Sequence, residues 1–252
     1  MTHTIKHQHE IEALATQFAA SNVLQGGADS LFDSDLTQTA AWAEFADSWN
    51  DLHQDQFMAD GGTYRFRRFS EFQLDMQARS ITTLPHAAYR QSKQDNYLNG
   101  GIDRLYSAIK SEIQTNAAFN AALLRCADVL APLHPGAQWL VQVFQNRVLA
   151  KQHELGQPTP EGVHRDGVDY VLTLLMKRHN IEGGESATYL ADGVSVSAKV
   201  TLQTAGDYIL LNDRATKHSV QAIVRHDSEQ IGYRDALIVM FTRLSSNPIE
   251  VM

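Results

Sequence analysis

The segment Val163–Val168 (VHRDGV) and the apolar run Tyr170–Met176 (YVLTLLM) that follows it decide how this chain is interpreted. A short run of large apolar residues bounded by polar ones is typical of a buried strand. In an extended backbone, residues i and i+2 point to the same side, so His164 and Asp166 can present their side chains together. The segment therefore predicts a histidine and a carboxylate side by side at the start of a buried strand.

A second histidine, His218, begins another segment, His218–Val224, in which polar and apolar residues alternate. Two histidines and one carboxylate match the facial triad that binds non-haem Fe(II) and leaves other coordination positions open. His226 is the alternative distal ligand, but it stands at the predicted strand end, where a solvated loop is expected. We therefore predict a metal site made of His164, Asp166 and His218.

The same histidine–carboxylate spacing occurs once more, at His53 and Asp55. These two residues fall within Thr37–Phe57, where apolar residues recur at helical intervals, so a helix is predicted there. On a helix, residues i and i+2 diverge by about 200° and cannot bind one ion. The pattern therefore favours the second copy of the motif as the metal site.

Short strands separated by turn residues follow the metal motif at intervals of roughly ten residues, which is typical of an antiparallel sandwich or barrel. The main predicted strands are Thr63–Phe69, Trp139–Leu149, Tyr170–Met176, Tyr208–Leu211, His218–Val224 and Arg234–Phe241. The predicted helices are Ile5–Leu24, Thr37–Phe57 and Asn116–Leu130. We predict one α+β domain over 1–252 with a mainly β core. Residues 1–62 form a mainly helical part, and 63–252 form the core with an inserted helical segment at about 100–131.

Composition excludes several classes of protein. The chain has 252 residues and a formal net charge of −8, whereas general nucleic-acid binding needs a basic surface. Its single cysteine excludes an intramolecular disulfide and fits a reducing compartment. No apolar run approaches the roughly eighteen residues that cross a membrane, and the first residues lack a signal-peptide core. We expect a cytoplasmic enzyme with a small-molecule substrate and neither a nucleic-acid nor a membrane partner.

From about Trp139 to Thr242 the sequence resembles the double-stranded β-helix core of the Fe(II)/2-oxoglutarate dioxygenases. More narrowly, it is similar to the bacterial branch that includes L-isoleucine 4-hydroxylase and other hydroxylases of free aliphatic amino acids. The segments that carry the resemblance are Tyr64–Phe69, Asn99–Arg104, Val163–Val168, Asn180–Ser186, Leu211–Arg214 with Lys217 and His218, and Gly232–Asp235. The resemblance implies a jelly-roll, cupin-like fold with the N-terminal helices packed on one side.

The resemblance also implies roles for single residues and a chemistry. His164, Asp166 and His218 match the iron ligands. Arg234 matches the basic residue that pairs with the distal carboxylate of 2-oxoglutarate, and a guanidinium suits this role because it binds a carboxylate through two hydrogen bonds. The implied cofactor set is Fe(II), 2-oxoglutarate and O2, and the implied products are succinate, CO2 and a hydroxylated amino acid.

One position departs from the family pattern. Ala236 stands two residues after the arginine, where many relatives carry a hydroxyl that shares the same carboxylate. We therefore expect another hydroxyl, from Tyr170 or Thr173, to help bind 2-oxoglutarate. Arg225 and Arg243 are alternatives to the predicted arginine, although each is expected to be an exposed charge.

A free amino acid needs a cation for its carboxylate, an acceptor for its ammonium and an apolar slot for its side chain. The candidate substrate contacts are Arg67, Arg68, Arg147 and Phe66, with Glu161 and Asp169 as candidate acceptors for the ammonium. Two other functions remain open. One is a 2-oxoglutarate oxygenase acting on a protein side chain or another metabolite, and the other is a cupin-like metal isomerase or binding barrel. Only the oxygenases require a buried Arg234.

Overall fold

The computed structural model describes residues 2–32 and 35–244, with side chains from residue 9 onward. Its α-helices are α1 (Thr2–Ser21), α2 (Ala28–Leu31), α3 (Ala40–Asp47), α4 (Ser111–Gln114) and α5 (Ala117–Leu130), with 3-10 turns at Leu36–Gln38 and Ser48–Asp51. Its β-strands are β1 (Val23–Gly26), β2 (His53–Gln54), β3 (Arg65–Asp75), β4 (Ser80–Thr83), β5 (Gln138–Ala150), β6 (Tyr170–His179), β7 (Ile181–Gly183), β8 (Ser186–Tyr189), β9 (Val196–Val200), β10 (Tyr208–Asn212), β11 (Lys217–Val220), β12 (Ile223–Arg225) and β13 (Gly232–Arg243).

Antiparallel sheets dominate the described chain. The largest sheet has the strand order β1-β10-β6-β13-β5-β3-β2, with β4 paired to β3. Two smaller sheets have the orders β11-β8-β9 and β12-β7. The predicted antiparallel architecture is therefore confirmed, although the central strands β3, β5, β6 and β13 are 10 to 13 residues long rather than short. Among the described residues, none of the helices combines the length and the apolar character that a membrane span requires.

The alternation of side chains along β6 assigns the two faces of the large sheet. Leu172 and Leu174 join a core cluster that includes Phe119 of α5, so this face is covered by helices. Val171 and Leu175 join a second cluster on the opposite face. The helices therefore pack on one side of the sheet, as predicted, and the other side remains available for a site.

Phe119 lies at the centre of the contact between the helices and the sheet. Its side chain is fully buried, and its ring centroid lies 5.6 Å from that of Phe45 and 5.5 Å from that of Phe72. We expect Phe119→Ala to lower the free energy of unfolding by about 3–5 kcal/mol, because it removes apolar burial and leaves a cavity. Denaturant unfolding measures this change, and Tyr97→Ala, at an exposed tyrosine, is the control. An unchanged midpoint for Phe119→Ala would contradict the described packing.

The helix predicted over Thr37–Phe57 is wrong beyond Asp47. The chain continues through the 3-10 turn Ser48–Asp51 into β2, which pairs with β3. Trp49, whose position fitted the helical pattern, is buried in the core, and its indole nitrogen donates to a backbone carbonyl of β5 at 3.3 Å. The helical spacing of apolar residues therefore continues past the end of α3, so the spacing alone does not locate the end of the helix.

This correction removes the reason for dismissing His53 and Asp55, which do not lie on a helix. Their side chains have other partners. The carboxylate of Asp55 pairs with Nε of Arg65 at 2.9 Å, and Nδ1 of His53 lies 2.8 Å from the hydroxyl of Ser107. Within the described residues, only the other copy of the motif belongs to a cluster able to hold a metal.

Other boundaries shift for local reasons. The first predicted helix ends at Ser21 because Asn22 has a φ of 60°, which turns the chain into β1. The strand predicted over His218–Val224 is divided into β11 and β12. The predicted helix Asn116–Leu130 and strand Trp139–Leu149 are confirmed as α5 and β5. In the predicted insertion the described helices begin only at residue 111, and the division of the domain at residue 62 stays a prediction.

Candidate metal centre

The metal motif and the distal histidine meet at a bridge between two extended segments. His164 and His218 exchange backbone hydrogen bonds of 3.0 and 2.9 Å, and their ring centroids lie 4.3 Å apart. One ligand atom from each of His164, Asp166 and His218 lies within 4.8 Å of the other two. The structure therefore brings the three predicted side chains together.

The donor atoms of this cluster face one another in a form that suits a cation. Nε2 of His164 lies 3.9 Å from the Asp166 carboxylate, and Nε2 of His218 lies 3.4 Å from it. Nδ1 of His164 lies 2.9 Å from the Gly162 carbonyl, which can only accept, so Nε2 keeps its lone pair. Burial raises the pKa of Asp166, but the hydrogen bond and charge of His218 outweigh this and hold the pKa at about 2. The carboxylate is therefore ionised, as metal binding requires.

The buried side chain of Asp213 holds this cluster in place. Its carboxylate accepts from the backbone N–H groups of Asp166 at 3.1 Å, Gly167 at 2.8 Å and Val168 at 3.2 Å. Its other contact is with Nδ1 of His218, 3.8 Å away. Asp213 thus fixes the segment of Asp166 through three hydrogen bonds and lies close to His218, whose Nδ1 has no hydrogen-bond partner among the described residues. In the sequence Asp213 looks like an ordinary turn residue, so this role was not predicted.

We expect Asp213→Ala to weaken Fe(II) affinity by about 10- to 100-fold, because partners behind the ligands set their orientation. Anaerobic titration with Fe(II) measures the effect. Asp207→Ala is a matched control, since Asp207 also accepts two backbone N–H groups of a turn, at 2.8 Å each, away from the cluster. Equal losses in the two variants would mean that Asp213 acts only on folding.

A cavity opens beside the three side chains. It contains about 770 Å³ of space free of protein atoms, part of which is open to solvent. Arg234, Thr173, Ile238 and Met240 line it together. Arg234 is 3% exposed, and its Nε and Nη2 atoms have no hydrogen-bond partner in the described chain. Because an unpartnered buried cation is costly, Arg234 is suited to an anionic ligand.

A second guanidinium lies beside Arg234. Arg178 is its register partner across β6 and β13, and both side chains approach Gly184. Burial lowers the pKa of Arg234 to about 10, and repulsion by Arg178 acts in the same direction. Arg178 donates to the Gly183 carbonyl at 2.9 Å, but its Nη1 is buried without a partner among the described residues. The two cations together favour a carboxylate at this end of the cavity.

The residues considered as alternatives to His218 and Arg234 lie away from the metal cluster and the cavity. His226 is exposed, and its Nδ1 lies 2.8 Å from Glu182. Arg225 donates to a nearby backbone carbonyl, and the exposed Arg243 contacts a ring nitrogen of His134 at 2.9 Å. None of these lies with the metal cluster or among the residues that line the cavity.

Tyr170 does not reach the cavity, so its predicted contact with 2-oxoglutarate is wrong. Tyr170 and Thr173 are three positions apart on β6 and therefore point to opposite faces. The Tyr170 hydroxyl lies 2.6 Å from Nε2 of His134, and its ring packs against Phe18 and Trp139 on the helix side. Of the two predicted hydroxyls, the structure brings only Thr173 to the cavity.

Of the four predicted substrate contacts, only Arg67 lines the cavity. Arg68 and Phe66 alternate with Arg67 along β3 and face away from it. Arg147, on β5, is held by Asp235 through two hydrogen bonds of 2.6 and 2.7 Å. The cavity-facing residues of these two strands are Arg65, Arg67, Phe144 and Asn146.

Further cavity residues come from loops and were not predicted as substrate contacts, except for Glu161. They are Tyr89, Gln91, Asn96, Asn99 and Arg104 from the segment 89–104, and Pro158, Thr159 and Glu161 before the metal motif. Gln91 ties the first segment to the metal cluster, since it donates to the Asp166 carbonyl at 3.0 Å and accepts from Arg104 at 3.3 Å. Asp169, the other ammonium candidate, pairs with Arg214 at 3.1 Å and does not line the cavity.

The antiparallel sheets, the His-Asp-His cluster and the unpartnered arginine define an iron- and 2-oxoglutarate-dependent class of oxygenase. The profile of the 2OG-Fe dioxygenase family matches residues 46–240, and the chain belongs to this family. Enzymes of the family use Fe(II), 2-oxoglutarate and O2, and the residues of this site fit those groups in charge and donor type.

Similar proteins support the same fold. A solved bsmA homologue from Methylobium petroleophilum is 26% identical, with a TM-score of 0.82 over 92% of both chains. The Fe(II)/α-ketoglutarate-dependent dioxygenase TqaL is 18% identical, with a TM-score of 0.73 over 98% of this chain and 94% of its own. The bifunctional enzyme flvA of Aspergillus flavus is 22% identical in a 201-residue alignment that covers 70% of this chain. The chain spans about a quarter, 24%, of that enzyme's length. The predicted jelly-roll fold is confirmed.

Proposed function

We propose that the protein hydroxylates a free aliphatic L-amino acid, similar to isoleucine, leucine or methionine, and forms the hydroxy-amino acid, succinate and CO2. The observation that carries this proposal is the buried, unpartnered Arg234 in the same cavity as His164, Asp166 and His218. A metal isomerase or a simple binding barrel does not require a buried arginine at the position of Arg234. Membership of the 2OG-Fe dioxygenase family also disfavours both alternatives.

In this proposal His164, Asp166 and His218 hold Fe(II), and three protein ligands leave coordination positions for 2-oxoglutarate and O2. When bound, Fe(II) with 2-oxoglutarate supplies the oxidation, in which O2 places one oxygen atom in succinate and one in a C–H bond of the substrate. Arg234 binds the distal carboxylate of 2-oxoglutarate, and Thr173, which lines the same cavity opposite Ile238 in the sheet, is the candidate hydroxyl for it. Ile238 also lines the cavity, and its apolar side chain helps to exclude water from the site.

The neighbouring strands β5 and β3 of the same sheet offer a place for an aliphatic side chain. The Arg67 guanidinium lies over the Phe144 ring at 4.8 Å and over the Tyr106 ring at 5.2 Å, and its Nε lies 3.4 Å from Asp55. Arg67 is thus already held by protein groups, and we assign it to the substrate wall. Its stacked stem and the Phe144 ring offer apolar surface at this wall.

A panel of amino acids tests the proposal. We expect succinate release in the presence of Fe(II), 2-oxoglutarate and O2 to be stimulated most by an L-amino acid with an aliphatic chain. Its D-isomer should have little effect, because the cavity presents fixed charges on a chiral scaffold. Mass spectrometry should show a gain of one oxygen atom in the amino acid. Equal stimulation by a peptide that carries the same side chain internally would favour a protein hydroxylase.

A further inference from the structure

The substrate side of the cavity contains a cation that no described carboxylate neutralises. Arg104 is 2% exposed, its guanidinium lies over the Tyr89 ring at 4.8 Å, and its Nη2 donates to the amide oxygen of Gln91 at 3.3 Å. Its Nε has no partner within the described chain. By contrast, Arg65 donates to the carboxylate of Asp55, and Arg67 has that carboxylate 3.4 Å from its Nε, although this Nε also makes no hydrogen bond within the described chain. Arg104 is therefore a buried cation without an anionic partner in the described chain, and an anionic ligand would stabilise it.

The same cavity is also lined by a carboxylate, that of Glu161, which has an oxygen atom without a hydrogen-bond partner. The Glu161 side chain is 9% exposed, and its Oε2 has no partner among the described residues. Its Oε1 accepts from the Asn96 amide at 3.3 Å and lies 3.8 Å from Nε2 of His164. That histidine nitrogen is neutral when it binds a metal, so it does not neutralise the carboxylate. Arg65 and Arg67 attract this carboxylate, but its Oε2 faces the cavity without a hydrogen bond from the described residues.

One ligand can neutralise both groups only if it carries a carboxylate and an ammonium. A neutral ligand leaves both protein charges buried and unpaired, and a dicarboxylate leaves Glu161 unpaired. An amino acid inside a peptide carries neither free group. The pair of residues thus selects a zwitterion, which is the head group of a free amino acid.

We propose that Arg104 binds the carboxylate and Glu161 the ammonium of the substrate, an assignment that rests on the proposed function. Gln91 connects this head-group site to the metal centre, because it contacts both Arg104 and the Asp166 carbonyl. The head group is therefore held at a fixed offset from the metal, and the side chain is the part that reaches the reacting position. Arg104 and Glu161 determine specificity and take no part in the oxidation.

Derivatives of the amino acid in which one charged group is blocked distinguish the contact with Arg104 from the contact with Glu161. The probes are the amino acid that best stimulates succinate release, its amide and its N-acetyl derivative, each titrated anaerobically into protein loaded with Fe(II) and 2-oxoglutarate. In the wild type each block should weaken binding on the order of 30-fold or more, since it leaves one buried charge unpaired. In Arg104→Gln the penalty for the amide should shrink to about threefold or less, and in Glu161→Gln the same should hold for the N-acetyl derivative.

This shrinkage is specific to a direct contact, because a variant that only distorts the cavity would weaken all three compounds alike. Arg90→Gln is the matched control, since Arg90 lies on the same segment but is exposed and paired with Asp103 at 3.6 Å. Loss of the amide penalty in Arg67→Gln instead would place the carboxylate on Arg67 and overturn the assignment. If a free amino acid binds but both penalties persist in the variants, only this assignment fails. If no free amino acid binds the wild type, the proposed function fails with it.

Discussion

The variants His164→Ala, Asp166→Ala and His218→Ala are each expected to abolish substrate-dependent succinate release while the protein stays folded. The three donors lie within 4.8 Å of one another, and each variant removes one of the three protein ligands on which the metal depends. Succinate assays measure turnover, anaerobic Fe(II) titration measures metal affinity, and circular dichroism reports the fold. All three variants should lose turnover together with Fe(II) affinity.

Two other histidines provide the controls. His226→Ala changes an exposed side chain beside Glu182, and His53→Ala changes one that contacts Ser107. Both variants should keep the turnover and Fe(II) affinity of the wild type. Full activity in His218→Ala, combined with loss in His226→Ala, would show that the metal centre is built differently.

Arg234→Ala is expected to weaken 2-oxoglutarate binding on the order of 30-fold or more. Removing one partner of a buried, hydrogen-bonded charge pair costs roughly 2–5 kcal/mol, because the other charge stays buried. The KM for 2-oxoglutarate should rise far more than the KM for the amino acid. Arg234→Lys should recover only part of the loss, since an ammonium cannot form the paired hydrogen bonds of a guanidinium.

Anaerobic calorimetry with Fe(II)-loaded protein measures this affinity. Arg243→Ala, at the exposed arginine that contacts His134, should bind 2-oxoglutarate as the wild type does. Normal affinity in Arg234→Ala would mean that another cation holds the carboxylate, and the neighbouring Arg178 would then be tested first.

The sequence placed a residue at the site where the alternation of side chains along an extended segment decides which way that side chain points. His164 and Asp166 are two positions apart, the alternating segment from His218 onward indicated the second histidine, and the resemblance supplied Arg234; His218 and Arg234 lie on β11 and β13. Thr173 reaches the cavity for the same reason that Tyr170 does not, since side chains alternate along β6. Alternation allowed only one of these two alternatives to face the site, but the sequence did not tell which one.

The substrate side was less predictable because its direction depends on tertiary pairing. The sequence does not tell which face of β3 looks into the cavity, and so Arg67 could not be separated from Arg68. Arg104 and Gln91 lie in a segment without regular periodicity, where neither strand nor helix rules apply. Asp213 lies in a turn, and its partners, which are more than 40 positions away in the sequence, are identified only in the folded chain.

The central claim is that O2 and 2-oxoglutarate are consumed together to hydroxylate an amino acid. Isotopically labelled O2 tests it most directly, with Fe(II), 2-oxoglutarate and the preferred amino acid present and both products analysed by mass spectrometry. We predict one labelled oxygen atom in succinate and one in the hydroxy-amino acid, in equal amounts, with neither formed by His218→Ala. Labelled succinate without any labelled amino acid, under saturating amino acid, would contradict the proposed function.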